Sequence, residues 1–122
     1  MAIHGPFPYV LVPMLHAAHD PPPHEFRATV HGTVFADRAD HLERLQPGDE
    51  LILIPDPPLD DAPGVWVHVP DGDLLGHLPP EIEAWLAPWM LRGGRARARA
   101  VRVKGADTPS WRRLLIEVRC AV

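Results

Sequence analysis

The chain has little of several residue types on which catalysis often depends. Its 122 residues include one cysteine (Cys120), one lysine (Lys104), one serine (Ser110) and no asparagine. A single cysteine excludes an internal disulfide, so nothing in the sequence requires an oxidising compartment, and we expect a cytoplasmic protein. The phosphate-loop, serine-hydrolase and zinc-protease motifs are missing. We therefore expect a protein that is not an enzyme and uses no cofactor.

Long hydrophobic runs are missing as well. No apolar stretch approaches the roughly 18 residues that a membrane-spanning helix needs. The first 20 residues have no Lys or Arg before their apolar middle and contain three prolines, which argues against a cleaved signal peptide. We expect no association with a membrane.

The charge of the chain is divided unevenly along its length. The net charge is −4, yet residues 92–122 hold nine cations and two acids, whereas residues 1–91 hold three cations and fourteen acids. Such asymmetry is what a surface that binds a polyanion requires. The alternative is that Arg95, Arg97 and Arg99 form only the solvated face of a strand, or protect a sheet edge from aggregation.

The sequence pattern predicts a mainly β protein with about six short strands and two short helices. Strands are expected within residues 25–36, 50–55, 64–69, 74–78, 95–103 and 111–122, and helices after Asp37 and from Pro80. Gly32 indicates a bulge or a sharp bend, residues 70–73 a hairpin turn, and Pro88 a kink or a fresh turn. Val101 and Val103 reverse the alternation of the preceding arginines, which predicts a β-bulge near Ala100. A small OB-like antiparallel β-barrel fits this set of elements.

The first two dozen residues differ from the rest in composition. Residues 1–24 contain a run of three prolines and four of the eight histidines, so we read them as a Pro/His-rich extension to a barrel domain at 25–122. The four metal-binding candidates have no familiar zinc-ligand spacing, and we predict no metal site there: His16, His19, Asp20 and His24. In an alternative interpretation, the apolar segment 6–15 docks on a partner protein or a second copy, and the chain is an interaction or dimerisation module.

Three strings of residues point to a family. VHGTVFADR is followed by LQPGDELILIPDPP and then by LLGHLPPE, and over residues 28–120 this order resembles the HIRAN domain family. The resemblance implies an OB-like barrel with added helices. It also implies a non-catalytic domain that binds single-stranded DNA and holds its free 3′ end.

The resemblance assigns roles to individual positions. Phe35 stands where the family has an aromatic residue that stacks on a base, Asp60 where an acidic residue receives the 3′-hydroxyl, and His77 beside the phosphates. Other positions depart from the family: Val34 replaces an arginine, Leu59 an aromatic residue and Pro80 a lysine, and Lys104 falls near a further aromatic position. Beside these positions, we expect Arg95, Arg97, Arg99 and Lys104 to contact phosphates.

Each of the three matched positions also has a structural interpretation. Phe35 could belong to the barrel core, Asp60 could cap a turn, and His77 could be a partly buried imidazole whose hydrogen bonds are satisfied within the protein.

Overall fold

A computed structural model describes residues 23–59 and 62–121 of the chain. The side chains of residues 57–63 also lie outside the description. The predicted extension therefore falls almost entirely outside the described residues, as does Asp60. The docking hypothesis for residues 6–15 and three of the four metal-ligand candidates fall outside them too.

The described chain forms six strands, two α-helices and one short 3-10 helix. The strands are β1 (Glu25–Thr29), β2 (Glu50–Leu59), β3 (Ala62–His68), β4 (Leu74–His77), β5 (Arg95–Val103) and β6 (Leu114–Ala121). The helices are α1 (Arg38–Glu43), α2 (Pro80–Leu91) and the 3-10 helix Ser110–Arg112. Within the described ranges, no helix is long and apolar enough to cross a membrane.

All strand pairs are antiparallel, and the sheet order is β1-β6-β5-β2-β3-β4. The sheet curls into a half-barrel, and an isolated bridge between His31 and His77 brings the chain leaving β1 to the far edge strand β4. The prediction of a mainly β, OB-like fold with six strands and two helices is confirmed.

Alternating side chains fill the inside of the sheet. Val65 and Val67 on β3 are fully buried, and the same period puts Leu114, Ile116, Val118 and Cys120 of β6 in the core. Helix α2 closes the core by placing Trp85 edge-on against Phe26, with ring centroids 5.4 Å apart. The period-two pattern therefore identified the inward faces correctly.

The predicted bulge on β5 is present. The β5–β6 register shifts between Ala100 and Arg102, which is where the parity of the sequence reverses. The hairpin turn at 70–73 also forms, since Val69 and Asp73 are joined by a backbone hydrogen bond of 2.9 Å and Gly72 has a φ of 107°.

Two details of the helices concern Pro88 and Asp37. Helix α2 runs through Pro88 and ends at Leu91, so no fresh turn begins at Pro88, although the proline cannot donate a helical hydrogen bond. Asp37 precedes α1 but does not cap it with its side chain. Its carboxylate lies 3.1 Å from His41 Nε2, and His41 Nδ1 lies 3.3 Å from Asp73 Oδ2, so the imidazole joins α1 to the β3–β4 turn.

Candidate nucleic-acid interface

The loop that follows β1 presents Phe35 to solvent. Gly32 adopts a φ of 76°, and the N–H of Phe35 donates to the Gly32 carbonyl at 3.4 Å, which turns the chain outward. The Phe35 side chain is 62% exposed. Thr33 is buried and fixes the loop, because its hydroxyl donates to the carbonyl of Ser110 at 3.1 Å. Phe35 is therefore a surface ring on an anchored loop and not part of the core.

Arg38 connects Phe35 to a second aromatic ring. Its guanidinium carbon lies 5.7 Å from the Phe35 ring centroid and 6.0 Å from the Trp66 ring centroid. Its Nη1 donates to the carbonyl of Gly32 at 2.9 Å, which holds the cation against both rings. We call Phe35, Arg38 and Trp66 the aromatic platform. Phe35 stays 62% exposed despite this contact, so part of its ring surface is open for stacking.

Sequence reasoning did not assign Arg38 or Trp66 to the site. A signal for Trp66 existed, because it alternates with Val65 and Val67, which are both fully buried. A tryptophan on the opposite face of that strand has to point outward. In the structure its indole N–H donates to the carboxylate of Asp56, which orients the ring.

His77 lies beside the platform. Its ring centroid is 5.8 Å from that of Trp66 and 6.0 Å from that of His31. Its Nδ1 is 2.9 Å from the carbonyl of Leu78, and because a carbonyl only accepts, Nδ1 carries the proton and Nε2 is left for another partner. The side chain is 34% exposed. His77 is thus both anchored within the protein and accessible.

Two ionisable groups next to His77 bear on the charge of the site. Burial raises the pKa of Glu83, although the Val65 N–H donates to its carboxylate at 2.8 Å and His77 lies 3.8 Å away. Burial, and then the neighbouring His77, hold the pKa of His31 below its usual value. His31 is therefore neutral at physiological pH, and the fixed positive charge of the platform comes from Arg38.

A further exposed aromatic ring lies on the β5–β6 connection. Trp111 is 54% exposed, and the guanidinium carbon of Arg112 lies 5.7 Å from its ring centroid. The Thr33–Ser110 hydrogen bond ties this connection to the loop that carries Phe35. Trp111 was not selected from the sequence, because the 3-10 helix Ser110–Arg112 that exposes it has no distinctive local pattern.

The basic residues of β5 share the outer face of the sheet, but acids accompany them. Arg97 Nη2 lies 3.3 Å from Glu50 Oε2, and Arg99 Nη2 lies 3.0 Å from Glu117 Oε1. Arg95 is exposed, and within the described part of the chain it makes no ion pair. The three arginines therefore share one face of the strand, as the alternation of the sequence predicts. Two of the three have carboxylate partners.

Glu117 is the centre of this charge network. It is only 4% exposed, and Arg27, Arg99 and Arg119 lie within 3.7 Å of its carboxylate. Burial raises its pKa, but the hydrogen bond from Arg99 and the charges of the three arginines outweigh that effect and hold the pKa below its usual value. The carboxylate stays ionised and neutralises part of the basic face.

The structure does not bring all predicted residues together. Lys104 is exposed at the opposite end of β5 from Arg95, about 30 Å away at the usual rise per strand residue. Its N–H bonds to the Arg113 carbonyl at 2.8 Å, and it lines a cleft beside α1. Asp60 lies outside the described residues. Within residues 23–59 and 62–121, no group of His, Cys, Asp and Glu side chains is arranged to hold a metal ion.

Comparison with solved structures identifies the fold. A crystal structure of a protein from Lactobacillus plantarum matches with a TM-score of 0.62 and 19% identity, over 79% of this chain and 92% of that one. The crystal structure of the HIRAN domain of human HLTF matches with a TM-score of 0.59 and 19% identity, over 80% of this chain and 75% of that one. The fold is HIRAN-like. No protein-family model and no curated protein matches the sequence.

Proposed function

We propose that this chain is a non-catalytic domain that binds single-stranded nucleic acid, and single-stranded DNA in particular. The observation that carries the proposal is the aromatic platform, in which the exposed Phe35 ring is held by an arginine beside Trp66 on a HIRAN-like fold. Exposed rings on an anchored surface are the usual means by which proteins hold unpaired bases.

The proposal assigns a role to each group. One base stacks on Phe35, and Trp111 offers a second ring on the loop tied to it. Arg38 faces the phosphates next to the stacked base, and His77 lies beside them. Asp60 receives the 3′-hydroxyl, as the resemblance implies. Phosphates further along the strand meet the basic side chains of β5, Arg95, Arg97 and Arg99.

Fluorescence anisotropy with a labelled thymidine decanucleotide tests the proposal. Phe35→Ala should weaken binding by about 1–3 kcal/mol, which is what one stacked base contributes. Leu91→Ala is the matched control, because Leu91 is also an exposed apolar side chain (48%) but lies at the end of α2. Equal binding by Phe35→Ala and Leu91→Ala, or no binding by the wild type at low salt, would contradict the proposal.

The salt dependence of the affinity and the chemical group at the 3′ end of the strand test the remaining roles. If three or four cations neutralise phosphates of a single strand, the logarithm of the affinity should fall against the logarithm of the salt concentration with a slope of about −2 to −3. Asp60→Ala should weaken binding to a strand with a free 3′-hydroxyl more than to one with a 3′-phosphate. An equal loss for the two ends would remove Asp60 from the site.

A further inference from the structure

The outer face of β2 continues the apolar surface of the platform. Ile54 lies opposite Trp66 in the β2–β3 register, and Ile52 lies two residues further along β2. The two isoleucines are 42% and 39% exposed, whereas Leu53 between them and Leu51 before them face the core. A strip of β-branched side chains therefore leads away from Trp66 along the outside of the sheet.

This strip leads to the basic side chains of β5. Glu50 pairs with Arg99, and because β2 and β5 are antiparallel, two residues onward in the same direction are Ile52 on β2 and Arg97 on β5. From the usual strand spacing and rise per residue, Trp66 and Arg97 lie about 12 Å apart on this face. A few nucleotides of an extended strand span that distance.

Arg97 is placed to accept an additional anion. Its side chain is 84% exposed and stands directly opposite Arg119 of β6, whose side chain is 61% exposed. Arg119 Nε lies 3.6 Å from Glu25 Oε2 and 3.5 Å from Glu117 Oε1, so carboxylates compensate its charge, whereas the only ion-pair partner of Arg97 in the described part of the chain is Glu50. A phosphate at Arg97 would receive charge-assisted hydrogen bonds from its guanidinium group.

The carboxylate of Glu50 forms an ion pair with the guanidinium group of Arg97. The ion pair of 3.3 Å joins two side chains that are 84% and 58% exposed, so water screens it and it contributes little. A phosphodiester can therefore displace Glu50. The carboxylate then competes for Arg97 and weakens binding of any strand long enough to place a phosphate there.

We infer that a single strand stacked on the aromatic platform continues across Ile54 and Ile52, where sugar edges pack, and places its later phosphates at Arg97 and Arg95 in competition with Glu50. This inference rests on the proposed function and adds a path to it. The arginines of β5 are a second contact region, which only strands longer than the platform can reach.

Anisotropy measured with two 5′-labelled probes, a thymidine trinucleotide and a thymidine nonanucleotide, separates the two regions. Arg97→Gln should weaken binding of the nonanucleotide about three- to tenfold and make its salt slope shallower by about 0.7, the value for one phosphate of a single strand. Binding of the trinucleotide should stay unchanged. Arg44→Gln is the control, because it removes the same charge from an exposed position next to α1.

A second variant, which is expected to bind more tightly, keeps the test independent of folding defects. Glu50→Gln removes the competitor of Arg97 and should tighten nonanucleotide binding about two- to fivefold, with the trinucleotide unaffected. Glu43→Gln, an exposed acid on α1, makes the same change in net charge and should not reproduce the effect. Comparing variants on one probe cancels the greater number of binding registers on the longer strand.

The outcomes distinguish the path from the proposed function. No binding of either probe by the wild type would overturn the proposed function and the path with it. Binding of both probes, with Arg97→Gln equal to Arg44→Gln and Glu50→Gln equal to Glu43→Gln on the nonanucleotide, would overturn the path and leave the platform in place. Loss confined to the longer probe, with the gain in Glu50→Gln, supports the path.

Discussion

His31 and His77 exchange both of their backbone hydrogen bonds. The N–H of His31 donates to the His77 carbonyl at 2.8 Å, and the N–H of His77 donates to the His31 carbonyl at 2.9 Å. This pair brings the chain after β1 against the edge of β4, so it sets the position of the Phe35 loop relative to Trp66. Gly76 permits the approach, because a Cβ there would collide with the His31 carbonyl and lie 2.7 Å from Val30 Cγ1.

Gly76→Ala should therefore destabilise the protein by about 1–3 kcal/mol, the usual cost of inserting a methyl group where backbone has to move. Urea denaturation followed by tryptophan fluorescence measures the free energy of unfolding. Gly105→Ala is the control, because the nearest atom to its added Cβ would be Asp107 Oδ1 at 3.6 Å. We expect that control to stay within about 0.5 kcal/mol of the wild type. Equal stability of the two variants would mean that the backbone around the His31–His77 pair accommodates the added methyl group without loss of stability.

Glu117 makes the stability of the fold depend on acid pH. Its pKa is lowered in the folded state, so its stabilising effect is complete above the ordinary value of 4.5 and disappears as the pH falls through the folded-state value. Glu117→Gln should cost about 1.5–3 kcal/mol at pH 7, which is typical of a hydrogen bond to a charged group. The difference from the wild type should shrink as the pH falls through the folded-state pKa of Glu117, because a protonated Glu and a Gln are then equivalent.

Urea titrations of both proteins at several pH values between 3 and 7 check this prediction. Glu43→Gln serves as the control, because that side chain is exposed and should show no comparable pH-dependent difference. A penalty for Glu117→Gln that is the same at pH 7 and pH 3 would show that the arginine cluster does not hold the carboxylate ionised.

The elements of the fold were predictable because their signals are local. Alternation with a period of two marks an inward face wherever it occurs, and the reversal of parity at Val101 and Val103 can only be accommodated by an extra residue. Turn residues such as Gly72 separate the strands in the same local way. These signals predict the folded structure because they depend only on neighbours in sequence.

The site was predictable only in part, because its members meet through tertiary contacts. Phe35 and His77 were selected by resemblance, whereas Arg38 and Trp66 join them only once the sheet has curled. The burial of Glu117 likewise could not be predicted from its neighbours in sequence. Alternation predicts an exposed acid at its position, but arginines from β1, β5 and β6 converge on it and bury it.

Cys120 should be unreactive while the protein is folded. Its side chain is 5% exposed, and burial raises the pKa of the thiol to about 11, so at pH 8 about one molecule in a thousand carries the reactive thiolate. Reaction with a chromogenic disulfide reagent should be slow in buffer and should accelerate in parallel with unfolding as urea is added. Rapid stoichiometric reaction without urea would show that the end of β6 opens readily.

Arg38 should matter for the shape of the platform and for its charge together. Arg38→Ala removes a cation that contacts both the Phe35 and the Trp66 ring, and we expect about a tenfold loss of affinity for a single strand. Arg38→Lys should recover only part of that loss, because an ammonium group keeps the charge but lacks the planar surface and fixed donors of a guanidinium.

Two measurements separate the contributions of Arg38. Anisotropy gives the affinity of each variant, and near-ultraviolet circular dichroism reports the environment of the tryptophans, including Trp66. Arg44→Ala, which removes an exposed arginine after α1, should change neither. Full recovery of affinity by Arg38→Lys would show that Arg38 acts as a charge alone and that Phe35 is held in place by its own loop. Partial recovery with an altered spectrum is expected, because the guanidinium also fixes the loop through the Gly32 carbonyl.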